Sequence, residues 1–136
     1  MSKDVEVSIE NIKAILEAAF IGCKIDEDGD LYASEGIDFP VFIGVDNDRP
    51  FIKFFSYASF KDGETVDEAK ANAFCNNINR KFYLITTYQH TGRVWFNYYM
   101  RHGGMVEPKI LVDVLRRCGN TFRQAVKESD VDDLVD

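Results

Sequence analysis

The sequence predicts an α+β fold, a single domain in which one curved antiparallel sheet packs against helices. The chain has 136 residues, which is the usual size of one domain. Segments with helical periodicity lie near its start, middle and end, and shorter runs rich in aromatic and β-branched residues lie between them. The predicted order of elements is α-β-β-β-β-α-β-β-α, with no internal repeat and no linker that would divide the chain.

The first predicted helix spans residues 8 to 20. Ser8 is a suitable N-cap, apolar residues follow it at helical spacing, and Gly22 can end the helix. Strand patterns then flank Asp28-Gly29, a pair that can adopt the two positive φ angles of a type I′ turn. The segment after the first helix is therefore predicted to be a β-hairpin.

This hairpin carries three aspartates at alternate positions, in the segment CKIDEDGDLY, which raises calcium binding as an alternative. A calcium loop of the D-x-D-x-D-G type needs glycine at its sixth position and a bidentate glutamate at its twelfth. Counted from the first of these aspartates, those positions hold Leu31 and Ile37. We therefore predict no metal site, and weak calcium binding at the turn is left open. The three aspartates are Asp26, Asp28 and Asp30.

Two further strands and a second helix follow. The strands are predicted at residues 40–45 and 51–57, with a polar turn between them. Thr65 and Glu68 have the spacing of a capping box, so the second helix is predicted at residues 66 to 80.

The last part of the chain contains two strands and a helix. Phe82–Tyr88 and Arg93–Met100 are rich in aromatic and β-branched residues and flank a loop with glycine near its end. Pro108 suits the first turn of a third helix, in which Gly119 is expected to kink or loosen the backbone. We expect the acidic tail, residues 128–136, to be frayed.

Alternation in the last hairpin places large apolar side chains on both faces of the sheet. We assign Tyr83, Trp95 and Tyr99 to one face because they share one parity, and these are the candidate protein-binding residues. Such a surface completes a core, forms the seam of a homodimer or binds another protein, and the residues leave these alternatives open. We expect the chain to self-associate through it as a homodimer.

The charge of the chain limits the class of its partners. It has 23 acidic and 16 basic residues and a formal net charge of -7, so the chain as a whole repels nucleic acid and anionic lipid. We expect basic or neutral partners, no nucleic acid and no membrane. No apolar run approaches the roughly 20 residues of a membrane span, and the first residues are polar, which leads us to expect a cytoplasmic protein.

The residues give no support for catalysis or for a bound cofactor. Cys23, Cys75 and Cys118 are far apart in the chain, which indicates a reducing compartment and no zinc framework. There is no glycine-rich phosphate loop and no nucleophile elbow, and the two histidines, His90 and His102, fall beside turns. Spacing alone does not test Cys75 with either histidine, but its place on an apolar helix face is typical of a core residue. We therefore predict no enzyme, no catalytic residues and no cofactor.

Residues 69–126 resemble the second half of the YbjN-type family, which is described as a family of proposed bacterial sensory transduction regulators. The shared features are an alanine-rich helix that ends in Ile78-Asn79-Arg80, a hairpin, the Gly103-Gly104 step and a closing helix with an aromatic residue in its last turns. The resemblance implies a fold similar to that of type III secretion chaperones. These are acidic homodimers that hold extended segments of other proteins, and the family has no catalytic residues.

Two functions are consistent with these observations. The first is a non-catalytic protein-binding module, chaperone-like or a regulatory adaptor, that docks another protein on the aromatic face of its sheet. The alternative is a small-molecule sensor with a pocket between sheet and helices. The residues only remove other functions, and the direction toward protein binding comes from the resemblance.

Overall fold

The computed structural model describes residues 3–46 and 48–135 of the chain. Within these residues lie three α-helices, eight strands and a short 3₁₀ turn at Gly63–Thr65. The helices are α1 (Ile9–Ala18), α2 (Glu68–Lys81) and α3 (Pro108–Ser129). The strands are β1 (Val5–Glu6), β2 (Gly22–Ile25), β3 (Leu31–Glu35), β4 (Val41–Val45), β5 (Phe51–Ser59), β6 (Thr86–His90), β7 (Arg93–Arg101) and β8 (Met105–Val106).

Six strands form one antiparallel sheet in the order β2-β3-β4-β5-β7-β6. β1 and β8 form a separate antiparallel pair, in which Val5 lies opposite Val106. The predicted α+β domain with one antiparallel sheet is confirmed, and its six main strands follow the predicted order. The sequence does not predict the β1–β8 pair, because strands of two residues carry no readable periodicity.

One face of the six-stranded sheet is covered by the helices and forms the core. Alternate residues of the two longest strands are fully buried on this side, including Ile52 and Phe54 on β5 and Val94 and Phe96 on β7. α3 packs here through Phe122, whose ring centroid lies 4.8 Å from that of Phe96. We call this side the inner face of the sheet.

α3 is the longest described helix, and neither it nor the other helices among the described residues is apolar enough to cross a membrane. It lies close to β4 at Gly119, where a Cβ atom would be 3.2 Å from both the Phe39 carbonyl oxygen and Val41 Cγ2. The helix runs unbroken through Gly119 to Ser129. This glycine therefore allows close packing on β4 and does not cause the loosening that the sequence predicts.

The described part of the tail after α3, to residue 135, packs against the domain, so the prediction of a frayed tail is wrong there. The Asp130 carboxylate accepts hydrogen bonds from the backbone N–H groups of Leu134 and Val135, at 2.6 and 3.0 Å. The N–H of Lys61 donates to the Leu134 carbonyl at 2.7 Å, and Val135 is buried. A carboxylate cap and two apolar residues thus hold the tail in place.

α2 begins two residues later than predicted. Its N-cap is Asp67, whose carboxylate accepts a hydrogen bond from the Lys70 N–H at 3.0 Å. Thr65 lies in the 3₁₀ turn, where its hydroxyl donates to the Asp62 carbonyl. The predicted capping box at Thr65 and Glu68 is therefore wrong, because a closer aspartate takes the capping role.

α1 ends in a Schellman motif around Phe20. The Phe20 N–H donates to the Glu17 carbonyl at 3.0 Å, and the Ile21 N–H donates to the Leu16 carbonyl at 2.9 Å. The motif places Phe20 in the left-handed region, with φ 63°, where glycine is usual. The sequence predicts that Gly22 ends the helix, but Gly22 already belongs to β2.

One of the two hairpin turns differs in type from the prediction. The β6–β7 turn is a two-residue loop, Thr91-Gly92, with φ values of 50° and 74°, as a type I′ turn requires. In the β2–β3 turn only Gly29 has a positive φ, 83°, and its N–H donates to the Asp26 carbonyl at 3.1 Å. This fits a type I turn followed by a left-handed residue. The predicted type I′ turn at Asp28-Gly29 is therefore wrong.

Candidate functional site on the open face of the sheet

The face of the sheet opposite the core carries aromatic and basic side chains. Its members follow from the register, because residues paired across antiparallel strands point to the same side. We call this surface the open face, since its side chains are half-buried or exposed. Its aromatic residues are Tyr32, Phe42, Phe51, Phe55, Tyr57, Tyr88, Trp95 and Tyr99. Its basic residues are Lys24, Lys53, Arg93 and Arg101.

The aromatic rings of the open face pack against one another in a band across the strands. The ring centroids of Tyr32 and Phe42 are 4.7 Å apart, and those of Phe42 and Phe55 are 5.2 Å apart. Between β5 and β7, the ring centroids of Tyr57 and Trp95 are 4.8 Å apart. These separations are typical of favourable aromatic pairs. Contact between neighbouring rings therefore buries part of these side chains. Tyr88 and Tyr99 remain exposed.

Two basic side chains lie over rings of this band. Lys53 Nζ is 4.7 Å from the ring centroid of Phe55 and 5.9 Å from that of Tyr99. Arg93 Cζ is 4.1 Å from the ring centroid of Tyr57. All three distances between a cationic group and a ring centroid fall in the range of cation–π contacts. Neither cation forms a salt bridge with a described residue, although Lys53 shares a cleft with Asp30.

The centre of the open face is polar. Asn97 on β7 lies between Phe55 on β5 and Thr86 on β6. Its Oδ1 atom is buried and has no hydrogen-bond partner in the described part of the chain. The neighbouring Trp95 is oriented by its indole Nε1, which donates to the His90 carbonyl at 3.3 Å. A buried acceptor without a partner is energetically costly, so a rotation that brings this half-buried side chain to water or to a bound donor would be favoured.

Two open clefts adjoin the band. The first has a volume of about 370 Å³ and is lined in part by Tyr32 and Tyr57. The second has a volume of about 340 Å³ and is lined in part by Lys53, Tyr99 and Asp30. Both clefts are open to solvent, and each has a volume that one or two side chains of a partner would fill.

The carboxylates nearest the open face lie in the turns at one end of the sheet. Desolvation raises the pKa of Asp30, the charges of Asp26 and Asp28 raise it further, and Lys53 opposes the shift. The Asp26 Oδ1 atom accepts from the N–H groups of Asp28 and Asp30, at 2.9 and 3.0 Å. The alternate aspartates thus shape the turn. Among the described residues no three His, Cys, Asp or Glu side chains form a group that could hold a metal ion.

The structure brings together two of the three predicted binding residues. Trp95 and Tyr99 lie on the open face, four residues apart on β7. Tyr83 is 93% exposed and precedes β6, so it is not part of the sheet. The parity argument that grouped all three fails because the β6–β7 loop has an even number of residues. Residues of opposite parity then face the same side, as Tyr88 and Trp95 do.

Sequence reasoning missed much of the open face on the neighbouring strands. Phe55, Tyr57 and Lys53 on β5, and Phe42 on β4, all contribute to it. The signal was present in the β5 segment FIKFFSYAS, where alternate residues are buried. Burial alternates residue by residue from Phe51 to Tyr57, which separates an inner set from an open set on this strand.

The β6 edge of the sheet is partly closed by α2. The Asn79 side chain accepts from the Thr87 N–H at 2.6 Å and donates to the Thr87 carbonyl at 3.0 Å. An additional strand would need these two backbone groups. The asparagine thus occupies them as a strand would, and it blocks strand addition at this point of the edge.

The cysteines and histidines do not form an activated pair. Burial raises the pKa of Cys75, and a hydrogen bond from the Thr87 side chain opposes the shift. Burial also raises the pKa of Cys118, to about 12. Thiols of this kind are poor nucleophiles at neutral pH. His102 Nδ1 accepts from the Gly104 N–H at 3.0 Å, which gives that ring a place in the turn before β8.

Comparison with known proteins supports the fold and little more. No protein-family model matches the chain, and no curated protein matches it. A solved structure does: the crystal structure of YbjN from E. coli, described as a proposed transcription regulator. It matches with a TM-score of 0.77 and 11% sequence identity over 98% of each chain. The chain therefore has the YbjN-type fold that the resemblance of residues 69–126 predicts.

Proposed function

We propose that the protein is a non-catalytic protein-binding module, chaperone-like or a regulatory adaptor, that holds an extended segment of another protein on its open face. The observation that carries the proposal is the aromatic band. The inner face already supplies the core, so the fold does not need a second apolar face. Aromatic side chains with adjoining clefts are the usual anchors of protein interfaces. The regulatory description of the protein that shares this fold agrees with such a role.

The open face offers two kinds of contact to an extended chain. Trp95 and Tyr99 supply apolar anchors, and Tyr99 is 52% exposed. Asn97 is half-buried on this face, and a rotation of its side chain would offer the unpartnered Oδ1 atom to a backbone N–H of the bound segment. Main-chain hydrogen bonds that give affinity, combined with pockets that select side chains, are typical of the recognition of extended peptides.

The first test is site-specific photo-crosslinking in the cell of origin. A photoreactive phenylalanine analogue replaces Tyr99 in one variant and Tyr83 in the other. Both positions are exposed, but only position 99 lies on the open face. We expect a defined partner segment to be crosslinked at position 99 and not at position 83. Equal crosslinking at the two positions would show that the contacts are not specific to the open face.

The second test measures affinity for that partner after purification. Trp95→Ala should weaken the complex roughly thirtyfold, the effect of losing a central aromatic anchor worth about 2 kcal/mol. Tyr83→Ala is the matched control, because it removes an aromatic side chain of similar size outside the sheet. An unchanged affinity in Trp95→Ala, with the variant folded by circular dichroism, would contradict the proposal.

A second candidate function, a small-molecule sensor, rests on a cleft between α3 and the end of the sheet. This cleft has a volume of about 430 Å³, an apolar floor that includes Phe39 and Val126, and the cations Arg123 and Lys127 at its rim. Neither cation forms a salt bridge with a described residue. Asp130 and Asp133 also line the cleft, so it offers an apolar surface with charges of both signs, which would suit an amphipathic or zwitterionic metabolite. A metabolite that raises the melting temperature of the wild type, but not of Arg123→Ala, would favour the sensor.

A further inference from the structure

The charge of the open face is opposite to that of the chain. The protein has 23 acidic and 16 basic residues, yet the charged side chains at the strand positions of the open face are all basic. The nearest carboxylates belong to turn residues at the Lys53 end of the face. Asp26 accepts hydrogen bonds from its own turn, and Asp30 lines a cleft with Lys53 without forming a salt bridge with it. The net charge of -7 therefore comes from the rest of the surface. A partner docked on the strands of the open face would contact mainly basic side chains.

Two of these cations stand at opposite ends of the aromatic band. Lys53 is paired across the strands with Tyr99, and Tyr99 lies six positions along β7 from Arg93. At the rise of an extended strand this separation corresponds to roughly 20 Å. Each cation is placed by its contact with a ring, at 4.7 Å for Lys53 and 4.1 Å for Arg93. An extended segment of about six or seven residues would reach from one cation to the other.

We propose that the segment bound by the open face is acidic, with carboxylates that pair with Lys53 and Arg93 and apolar side chains that rest on the rings between them. This inference depends on the proposed function and adds the chemistry of the partner. Carboxylate pairing with an already positioned cation requires little further ordering of the lysine or arginine side chain. Acidic partners are therefore favoured by this face, although the net charge of the chain alone favours basic ones.

Two other occupants fit the face less well. A second copy of the chain, stacked open face to open face, would place basic side chains opposite one another with no carboxylate among the facing strand positions. Single-stranded nucleic acid would need free ring faces for its bases. Here Lys53 covers Phe55 and Arg93 covers Tyr57. The acidic majority of the chain also repels phosphates at long range.

The experiment is a selection of random peptides of about twelve residues displayed on phage, with the purified full chain as target. We expect the enriched peptides to be acidic and to alternate carboxylates with aromatic or aliphatic residues. Binding of the best peptides is then measured by fluorescence anisotropy. Lys53→Glu combined with Arg93→Glu should weaken binding at least about thirtyfold, because both pairs become repulsive. Raised salt should weaken the wild-type complex as well.

The matched control is Lys70→Glu combined with Lys109→Glu. Both lysines are exposed, they lie on α2 and α3, and the double substitution changes the net charge by the same amount. We expect a change of less than about threefold, because exposed charges distant from the site are screened by salt. A control variant that weakens binding as much as the open-face variant would overturn the inference, since net charge alone would then explain the effect.

Other outcomes separate this inference from the proposed function. Enrichment of basic or neutral peptides that still depend on Trp95 would overturn the acidic segment and leave the protein-binding function standing. Enriched peptides that bind Trp95→Ala as tightly as the wild type would overturn both the acidic segment and the proposed binding function of the open face. Binding of a single-stranded oligothymidine that the open-face double variant abolishes would assign the face to nucleic acid. A dimer in analytical ultracentrifugation that Trp95→Ala dissociates would assign it to a second copy, and either result would also overturn the inference.

Discussion

The two faces of the sheet are built from the same strands and differ in chemistry. Phe54 and Phe55 are neighbours on β5, yet Phe54 is fully buried on the inner face and Phe55 is half-buried on the open face. The inner face is mostly aliphatic, contacts the helices and has few polar groups. The open face has rings that contact each other and cations that cover them. The inner face therefore accounts for the fold, and the open face has chemistry that the fold does not need.

The comparison predicts a large difference between two adjacent alanine substitutions. Phe54→Ala should lower the free energy of unfolding by about 3–5 kcal/mol, because it leaves a cavity in a packed core. Phe55→Ala should cost about 1–2 kcal/mol, since it removes a stacked ring pair with Phe42 and a partly exposed surface. Urea unfolding monitored by circular dichroism measures both values. Equal costs would break the comparison and would mean that the open face is covered by a second copy or another ligand.

A second prediction tests the boundary between the covered and open regions, at the β6 edge. Asn79→Ala should lower the free energy of unfolding by about 1–3 kcal/mol, because the backbone groups of the buried Thr87 lose their partners. The freed edge should also promote concentration-dependent association, visible in light scattering. Asn76→Ala is the control, an exposed asparagine on the same helix. A monomer with unchanged stability would show that Asn79 does not guard the edge.

Long, strongly periodic elements were predictable from the sequence, and turn chemistry was not. α3 was assigned because its apolar stripe persists over several turns from Pro108 onward. The sequence predicts a type I′ turn at Asp28-Gly29 because that dipeptide favours it. The Asp26 carboxylate instead accepts hydrogen bonds across the turn and selects a longer loop. Such a side-chain cap depends on geometry that the dipeptide alone does not contain.

The candidate site is only partly predictable from the sequence, because the strand register decides which residues of different strands share a face. Trp95 and Tyr99 lie on one strand, so their shared face follows from alternation alone. Tyr83 was added across a hairpin, where the relation depends on the number of loop residues. The basic character of the open face was missed because net charge is a sum over the whole surface. Lys53 and Arg93 become neighbours of the same rings only through pairing of β5 with β7.

A third prediction concerns Phe20, an exposed aromatic residue that belongs to neither face of the sheet. Phe20 is 90% exposed and has a positive φ, so its side chain gains little from packing and its backbone is strained. Phe20→Gly should raise the free energy of unfolding by about 0.5–1 kcal/mol, because glycine adopts this conformation without strain. Phe20→Ala keeps the strain and should change stability little. A loss of stability in Phe20→Gly would reveal packing by the ring.

The smallest expected effect concerns Asp30, at the acidic end of the open face beside Lys53. Desolvation and the neighbouring aspartates raise the pKa of this carboxyl, so the folded state binds its proton more tightly than the unfolded state does. The ionised form therefore opposes folding at neutral pH, and this penalty disappears as the pH falls below the ordinary value of 3.8. Asp30→Asn should raise the melting temperature slightly at neutral pH, with a gain that shrinks in acid.

The control for this substitution is Asp4→Asn, which removes one exposed carboxylate outside the six-stranded sheet. Its effect on the melting temperature should be smaller than that of Asp30→Asn at neutral pH, and the two effects should converge in acid. The opposite result, a loss of stability in Asp30→Asn that grows toward neutral pH, would mean that Lys53 holds Asp30 as an ion pair in the fold. Lys53 would then be engaged before any partner arrives, and the open face would lose one of the two cations with which we propose it recognises an acidic segment.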